Sequence, residues 1–284
     1  ADAAADIGYK SASAWSTLRA GKYGADPRTI LKRIRQLFEQ EAAEAGSIKP
    51  IPYADLQVAD EIGEYLDDRR DRHVMGFVCG APGIGKTAAI RHYADTHDNV
   101  LVVTCRDGMT PYYLLKTIAD GLGAAFPKNT SRVEAIDHVA AALAGVPRSL
   151  LIIDEADKLG AAQEAARDLW LPEGHCGHVW AGTAAFWARL NRSFSSTAGQ
   201  IARRFGDILS LTRIGDEDVS RVLAHYPAWA KPVLARAREL GLGNTGRLCE
   251  GLAFAQRLAA KAGAAAPSPL QLEAAFAALA SPNH

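Results

Sequence analysis

Through the middle of the chain, short apolar runs alternate with amphipathic stretches. His73–Cys79, Val100–Thr104, Leu150–Ile153, Val179–Ala181 and Ile208–Leu211 have the length and aliphatic content of buried strands. Lys86–His97, Tyr112–Leu122, Val133–Leu143 and Ala161–Trp170 read as the helices between them. Strands alternating with helices predict an α/β fold, a parallel sheet with helices on both faces. After Arg213 the strands stop. Asp216–His225, Lys231–Leu240, Thr245–Lys261 and Pro269–Leu279 read as an all-helical C-terminal domain. Its last helix opens with Ser268-Pro269-Leu270-Gln271, a capping box with proline at the first helical position.

Ahead of the sheet the pattern is different. Ala3–Ile7 reads as the tail of a helix, Gly8-Tyr9-Lys10 as a turn, and Ser11–Ala20 as a second helix ended by Gly21. Asp26 caps a third, with Pro27 at its first position and Ile30, Ile34, Leu37 and Phe38 as its apolar stripe. Ala45–Pro52 is rich in glycine and proline and reads as a linker. The expected division is therefore a small helical domain over residues 1–44, a linker over 45–52, an α/β core over 53–213 and a helical domain over 214–284. A chain of 284 residues has room for these parts, since single domains run to about 100–200 residues.

Composition adds little until charge is mapped along the chain. Lysines plus arginines equal aspartates plus glutamates, 32 of each. Yet Gly8–Phe38 holds seven basic residues (Lys10, Arg19, Lys22, Arg28, Lys32, Arg33, Arg35) against one acid, Asp26, a local net of +6 that suits an anionic partner. The four cysteines are scattered, which reads as reduced thiols and not a disulfide frame. No apolar run approaches the ~18 residues of a membrane span, and no basic-then-apolar start marks a signal peptide. No membrane partner and a cytoplasmic location are expected. The chain opens at Ala1 without a methionine, so some native N-terminal sequence is expected to be missing.

The chemistry concentrates at strand ends. Gly80-Ala81-Pro82-Gly83-Ile84-Gly85-Lys86-Thr87 fits the phosphate-binding loop at every specified position, between a strand and a helix as that motif requires. Glycines turn backbone N–H groups inward around an anion, and the following helix adds its positive end. Lys86 can reach the β- and γ-phosphates, and the Thr87 hydroxyl can hold Mg²⁺. Ser149–Ile153 delivers Asp154 and Glu155 at a strand end: Asp154 as the second Mg²⁺ anchor, Glu155 as the base that polarises water or, alternatively, as a helix N-terminal acid. The acidic pair favours hydrolysis over binding alone. Thr183, after Val179-Trp180-Ala181-Gly182, suits positioning of that water, capping of the next helix, or both. Arg203 or Arg204, ahead of Phe205, is a candidate finger for a neighbouring subunit's γ-phosphate, or else part of a surface or DNA-contacting pair. Arg247 sits in a helical first turn, where it opposes the helix dipole. An anion partner follows, either the nucleotide or a structural carboxylate. His175, Cys176 and His178 lack a fourth ligand at zinc spacing and read as a solvated loop, not a metal site.

In that order, these motifs resemble the AAA+ ATPases over roughly Tyr53–Lys261. Upstream, Ala4–Ser13 followed by Leu18-Arg19-Ala20-Gly21-Lys22-Tyr23 looks like the second half of a repressor-type helix-turn-helix without its first helix. The whole arrangement resembles the target-capture transposition ATPases of the phage Mu B type. The resemblance implies ATP and Mg²⁺ as cofactors, with Gly80–Thr87, Ala88 and Arg247 around the nucleotide and Thr87 and Asp154 on the metal. Lys86, Asp154, Glu155, Thr183 and Arg204 are then the catalytic set, Arg204 preferred over Arg203 because it directly precedes the apolar residue. It also implies double-stranded DNA and a transposase as partners, self-assembly into a helical filament or ring, and a bacterial host cell.

A helix-turn-helix reads DNA with its second helix. Here Lys10, Ser11, Ser13, Ser16, Thr17, Arg19 and Lys22 are phosphate-contact types with little capacity to read bases, so weak sequence preference is expected. Arg106, Lys128 and Arg132 occupy loops where the family places further DNA contacts. Two other readings stay open: a loader for a replication helicase or initiator, and an ATP-gated helix-turn-helix transcriptional regulator.

Overall fold

The computed structural model describes residues 56–126, 129–169, 176–192, 203–241 and 243–279. The helix-turn-helix and linker expected before Tyr53 lie outside the described residues. The chain divides into two compact units: Asp55–Arg213 is one, and Ile214–His284 belongs to the other.

The first unit opens with α1 (Gln57–Arg72), which the hydrophobic pattern does not reveal at a glance because charges crowd it. Val58, Ile62 and Leu66 recur every four residues and are buried together with Arg69 and Arg70. It continues through β1 (Met75–Gly80), α2 (Lys86–Thr96), β2 (Val100–Thr104), α3 (Pro111–Gly121), α4 (Arg132–Ala144) and β3 (Leu150–Asp154). Two short 3-10 turns, Ala156–Lys158 and Gly160–Ala162, lead to α5 (Gln163–Asp168), β4 (Gly177–Gly182), α6 (Ala184–Asn191) and β5 (Ile208–Leu211).

All pairings are parallel, in the order β2-β3-β4-β1-β5. The three inner strands are buried throughout, which is why they read as unbroken apolar runs. Phe77 pairs with Trp180 on one side and Ile208 on the other. Around it, Trp187 and Phe205 pack with ring centroids 4.9 and 5.6 Å away, and Phe186 lies 6.0 Å away. This order sets the C-terminal end of β4 between those of β1 and β3, where open α/β sheets take their ligands.

Three expectations are corrected. β1 starts at Met75 and not His73, because His73 is the left-handed C-cap of α1 (φ 52°) and the Val74 N–H still bonds Arg69 O. Among the described residues, the helix expected over Ala161–Trp170 is α-helical over Gln163–Asp168, its start being taken by the 3-10 turn Gly160–Ala162 that opens on the left-handed Gly160 (φ 49°). The loop expected at Cys176 and His178 is instead interior. His178 belongs to β4, is fully buried, and its Nε2 accepts a 3.0 Å bond from Trp180 Nε1. Burial takes its pKa down to about 3 and pushes the Cys176 thiol up to about 11. Among the described residues no His, Cys, Asp or Glu cluster suits a metal by itself, and no helix is long and apolar enough to cross a membrane. All four cysteines are free.

The second unit contains α7 (Asp216–Leu223), α8 (Lys231–Gly241), α9 (Thr245–Lys261) and α10 (Pro269–Leu279). Leu248, Leu252, Ala255, Leu272 and Phe276 form its core. At Gly251 a Cβ would lie 2.4 Å from the Phe276 ring, so a glycine lets α9 and α10 close on each other. The cap of α10 is reciprocal: Ser268 N–H donates to Gln271 Oε1, and Gln271 N–H to Ser268 Oγ.

Candidate functional site

The loop between β1 and α2 is built from residues that tolerate close approach and left-handed backbone. Gly83 and Gly85 have φ of 78° and 109°, where a side chain would be strained. At Gly80 a Cβ would meet Ile84 Cγ2 and Leu211 Cβ, each at 3.2 Å, so the bare glycine lets Ile84 fold back into the core. Ala81, Pro82, Gly83 and Ala88 are exposed. Gly85 gives α2 no side-chain cap, which leaves the first N–H groups of that helix directed at the loop. Lys86 Nζ donates to Gly80 O at 2.8 Å and Ala81 O at 3.1 Å, holding the loop around its own cation.

Thr87 joins this loop to β3. Its Oγ1 donates to Asp154 Oδ2 at 2.9 Å, while Asp154 Oδ1 accepts the Glu155 N–H at 2.9 Å. Burial pushes the Asp154 carboxyl above its ordinary range, opposed by those two hydrogen bonds. Burial likewise lowers the Lys86 ammonium, opposed by the carboxylates of Asp157, Asp154 and Glu155. A hydroxyl and a carboxylate side by side are hard oxygen donors of the kind that hold Mg²⁺ beside phosphate, so the residues present fit that ion.

Glu155 sits at φ 55°, rare for a residue with a side chain, and heads the first 3-10 turn without capping it. Its Oε2 pairs with Lys158 Nζ at 3.1 Å. Thr183 ends β4 and caps α6 by accepting the Phe186 N–H at 3.2 Å, while its own N–H donates to Asp157 Oδ1 at 3.0 Å. The capping reading of Thr183 is thus realised at the same place as its strand-end position. Lys86, Thr87, Asp154, Glu155 and Thr183 therefore converge on one end of the sheet.

Arg203 and Arg204 are exposed and precede β5, whereas the phosphate loop follows β1, and in parallel strands these are opposite ends. Buried Phe205 anchors the pair against Trp180, with centroids 5.2 Å apart. Arg247, in the second unit, is exposed in the first turn of α9; its N–H donates to Asn244 Oδ1, and its side chain makes no ion pair among the described residues. Arg106 is exposed after β2, whereas Arg132 pairs with Glu164 at 3.4 Å and Asp168 at 4.0 Å. Lys128, Lys10, Ser11, Ser13, Ser16, Thr17, Arg19 and Lys22 lie outside the described residues. Two site residues escaped the reading of the sequence, Asp157 and Lys158. The available signal was spacing: three residues in a 3-10 turn bring a side chain back over its start.

Asp154 makes stability and binding compete. Its folded pKa is raised, so its contribution to stability is complete below the unfolded pKa and is lost as pH rises through the folded one. Asp154→Asn removes the charge and keeps an oxygen for the Glu155 amide. It should melt a few degrees higher than wild type at neutral pH, with the gain shrinking on acidification, while nucleotide binding in Mg²⁺ weakens. Scanning fluorimetry across pH checks this; a lower melting temperature at neutral pH would contradict it.

Comparison with known proteins agrees with this geometry. Residues 69–190 match the family described as an AAA domain. Over 209 residues the chain is 27% identical to the ATP-dependent target DNA activator B of Escherichia phage Mu, covering 73% of this chain and 66% of that protein. It thus spans just under two-thirds of that relative's length. The Mu-like prophage FluMu DNA transposition protein B of Haemophilus influenzae is 25% identical over 224 residues, 77% of this chain and 76% of the relative. Among solved structures, the Aeropyrum pernix ORC2 protein has the same fold, with a TM-score of 0.63 at 15% identity over 84% of this chain and 72% of that one. With its phosphate loop and parallel sheet, the chain is similar to AAA domains over residues 69–190 and to the transposition B proteins of the phage Mu type over about three-quarters of its length.

Proposed function

We propose that this protein is an ATP-hydrolysing, DNA-binding ATPase that captures target DNA with little regard to sequence and delivers it to a transposase. The observation that carries the ATPase part is the 2.9 Å bond joining Thr87 to Asp154, which puts the phosphate loop and the acidic strand end into one site. The names of the phage Mu and Haemophilus relatives support the DNA and transposition parts.

In this reading Lys86 exchanges the carbonyls of Gly80 and Ala81 for β- and γ-phosphate oxygens. Thr87 and Asp154 would hold Mg²⁺, which when bound offsets charge on the phosphates. Glu155 releases Lys158 and accepts the proton of the attacking water, which the Thr183 hydroxyl orients. Arg204 completes the site of a neighbouring copy, because it precedes β5 at the far end of the sheet from its own loop. Arg247 serves as a further anion contact.

DNA binding follows from summed weak contacts. The chain is neutral overall, so one copy offers only local charge: Gly8–Phe38 and exposed positions such as Arg106. Each phosphate contact adds about 0.9 to the log–log salt slope on duplex DNA. Copies joined through ATP into a filament or ring would add their contacts along the duplex, as linked sites do.

Three measurements test this. Glu155→Gln should retain ATP and slow hydrolysis by ~10²-fold or more, the scale of a lost general base. Arg204→Ala should be inactive on assembly, and mixing the two variants should restore part of the activity, since a mixed interface pairs an intact Glu155 with an intact finger. No rescue at any ratio would exclude a finger in trans. Titrations of two unrelated duplexes across salt, with ATP, with ADP and without nucleotide, should give tight, steeply salt-dependent binding only with ATP, equal for both duplexes. Equal affinity without nucleotide would defeat ATP-driven capture, and a strong preference for one duplex would indicate a transcriptional regulator instead.

A further inference from the structure

Asp157 belongs to no motif used so far, yet it sits inside the site. It lies in the 3-10 turn Ala156–Lys158, directly after the Asp154-Glu155 pair. One carboxylate oxygen, Oδ1, accepts the Thr183 N–H at 3.0 Å across 26 residues of chain. That bond ties the turn after β3 to the end of β4. The neighbouring residue is shaped for it: a Cβ at Gly182 would lie 2.6 Å from the same Oδ1, and 3.2 and 3.3 Å from Phe186 and Phe77. The absent side chain therefore leaves the space the carboxylate occupies, and the aromatic cluster behind Gly182 keeps the strand from backing away.

The consequence concerns Thr183. Its hydroxyl already accepts the Phe186 N–H at 3.2 Å, so its orientation is set by α6 on one side. Its backbone is set on the other side by Asp157. Between them the two bonds fix where the threonine stands relative to Asp154 and Glu155, which head the turn that carries Asp157. Movement of that turn, for instance when Glu155 leaves Lys158, is thereby transmitted to the end of β4.

We infer that Asp157 is a positioning residue for ATP hydrolysis: its carboxylate oxygen, received in the space left by Gly182, holds the Thr183 backbone and through it the water-orienting hydroxyl. This rests on the hydrolytic role proposed for Thr183. The positioning role is carried by the acceptor atom, whereas the Asp157 charge, which supports the Lys86 ammonium together with Asp154 and Glu155, is a separate contribution that Asp157→Asn removes. Misplacement of a positioning group by about 1 Å can cost ~10²-fold in rate, so the effect is measurable even where binding is untouched.

The test uses the full-length chain with four proteins: wild type, Asp157→Ala, Asp157→Asn and Gly182→Ala. Hydrogen exchange at the Thr183 amide is read without nucleotide, then ATP affinity and kcat. Asp157→Ala should expose the Thr183 amide to exchange and lower kcat by about tenfold or more, with ATP affinity within about threefold of wild type. Asp157→Asn, which keeps an acceptor oxygen, should recover protection and most of kcat. Gly182→Ala, which drives the carboxylate out, should reproduce the loss and keeps the test alive if Asp157→Ala fails to fold. Wild-type kcat in either alanine variant, or an Asp157→Asn as impaired as Asp157→Ala, would overturn the inference. A wild-type protein that does not hydrolyse ATP would instead end the functional reading on which it rests.

Discussion

A half-buried lysine and a buried aspartate at the same end of a parallel sheet are the constraint around which the first unit is arranged. Neither charge is cheap to bury, and burial acts on both, lowering the ammonium and raising the carboxyl. The fold answers with hydrogen bonds. Two loop carbonyls surround Lys86, and a hydroxyl and an amide surround Asp154. Those partners exist only if the loop turns through Gly83 and Gly85 and if β3 ends level with the start of α2. The glycines, the sheet order and the strand lengths all serve that arrangement, and phosphate and Mg²⁺ are the ligands proposed for it.

How much of this was legible depends on whether the determinant is local. The phosphate loop is: its glycines, Lys86 and Thr87 are adjacent in sequence, and their conformations follow from residue type. The strand–helix alternation is nearly as local, and the fold class followed from it. What escaped depends on partners distant in the chain. α1 carries Arg69 and Arg70 on its buried side, which no hydrophobic pattern anticipates; Arg70 is accommodated by the carbonyls of Arg148 and Asp98, at 2.9 and 2.6 Å. His178 looked like a loop residue because it is polar beside a glycine and a cysteine. Its interior place depends on Trp180, which offers its indole N–H across the same strand face. Asp157 escaped for the same reason, since its partner is 26 residues away.

Strand order then converts a binding loop into a site with more than one input. Because β4 lies between β1 and β3, Thr183 ends up beside both the phosphate loop and the acidic pair, although it is remote from each in sequence. The strained, left-handed Glu155 stands at the head of the turn that holds Asp157, so the acid and the threonine are linked through one side-chain hydrogen bond. Arg203 and Arg204, by contrast, emerge at the opposite end of the sheet, fixed by Phe205 in the aromatic cluster. The finger role proposed for Arg204 therefore requires a second copy to complete the site.

The central claim is that Thr87 and Asp154 together form the Mg²⁺ position that couples the phosphate loop to β3. The most direct measurement is calorimetric titration of ATP into wild-type and Thr87→Val protein, with Mg²⁺ and with chelator. The account predicts that wild type binds ATP at least about tenfold more tightly with Mg²⁺, a difference of ~1.4 kcal/mol, and that Thr87→Val abolishes the difference while still binding metal-free ATP. Wild-type affinity indifferent to Mg²⁺, or a Thr87→Val protein that keeps the full difference, would contradict it.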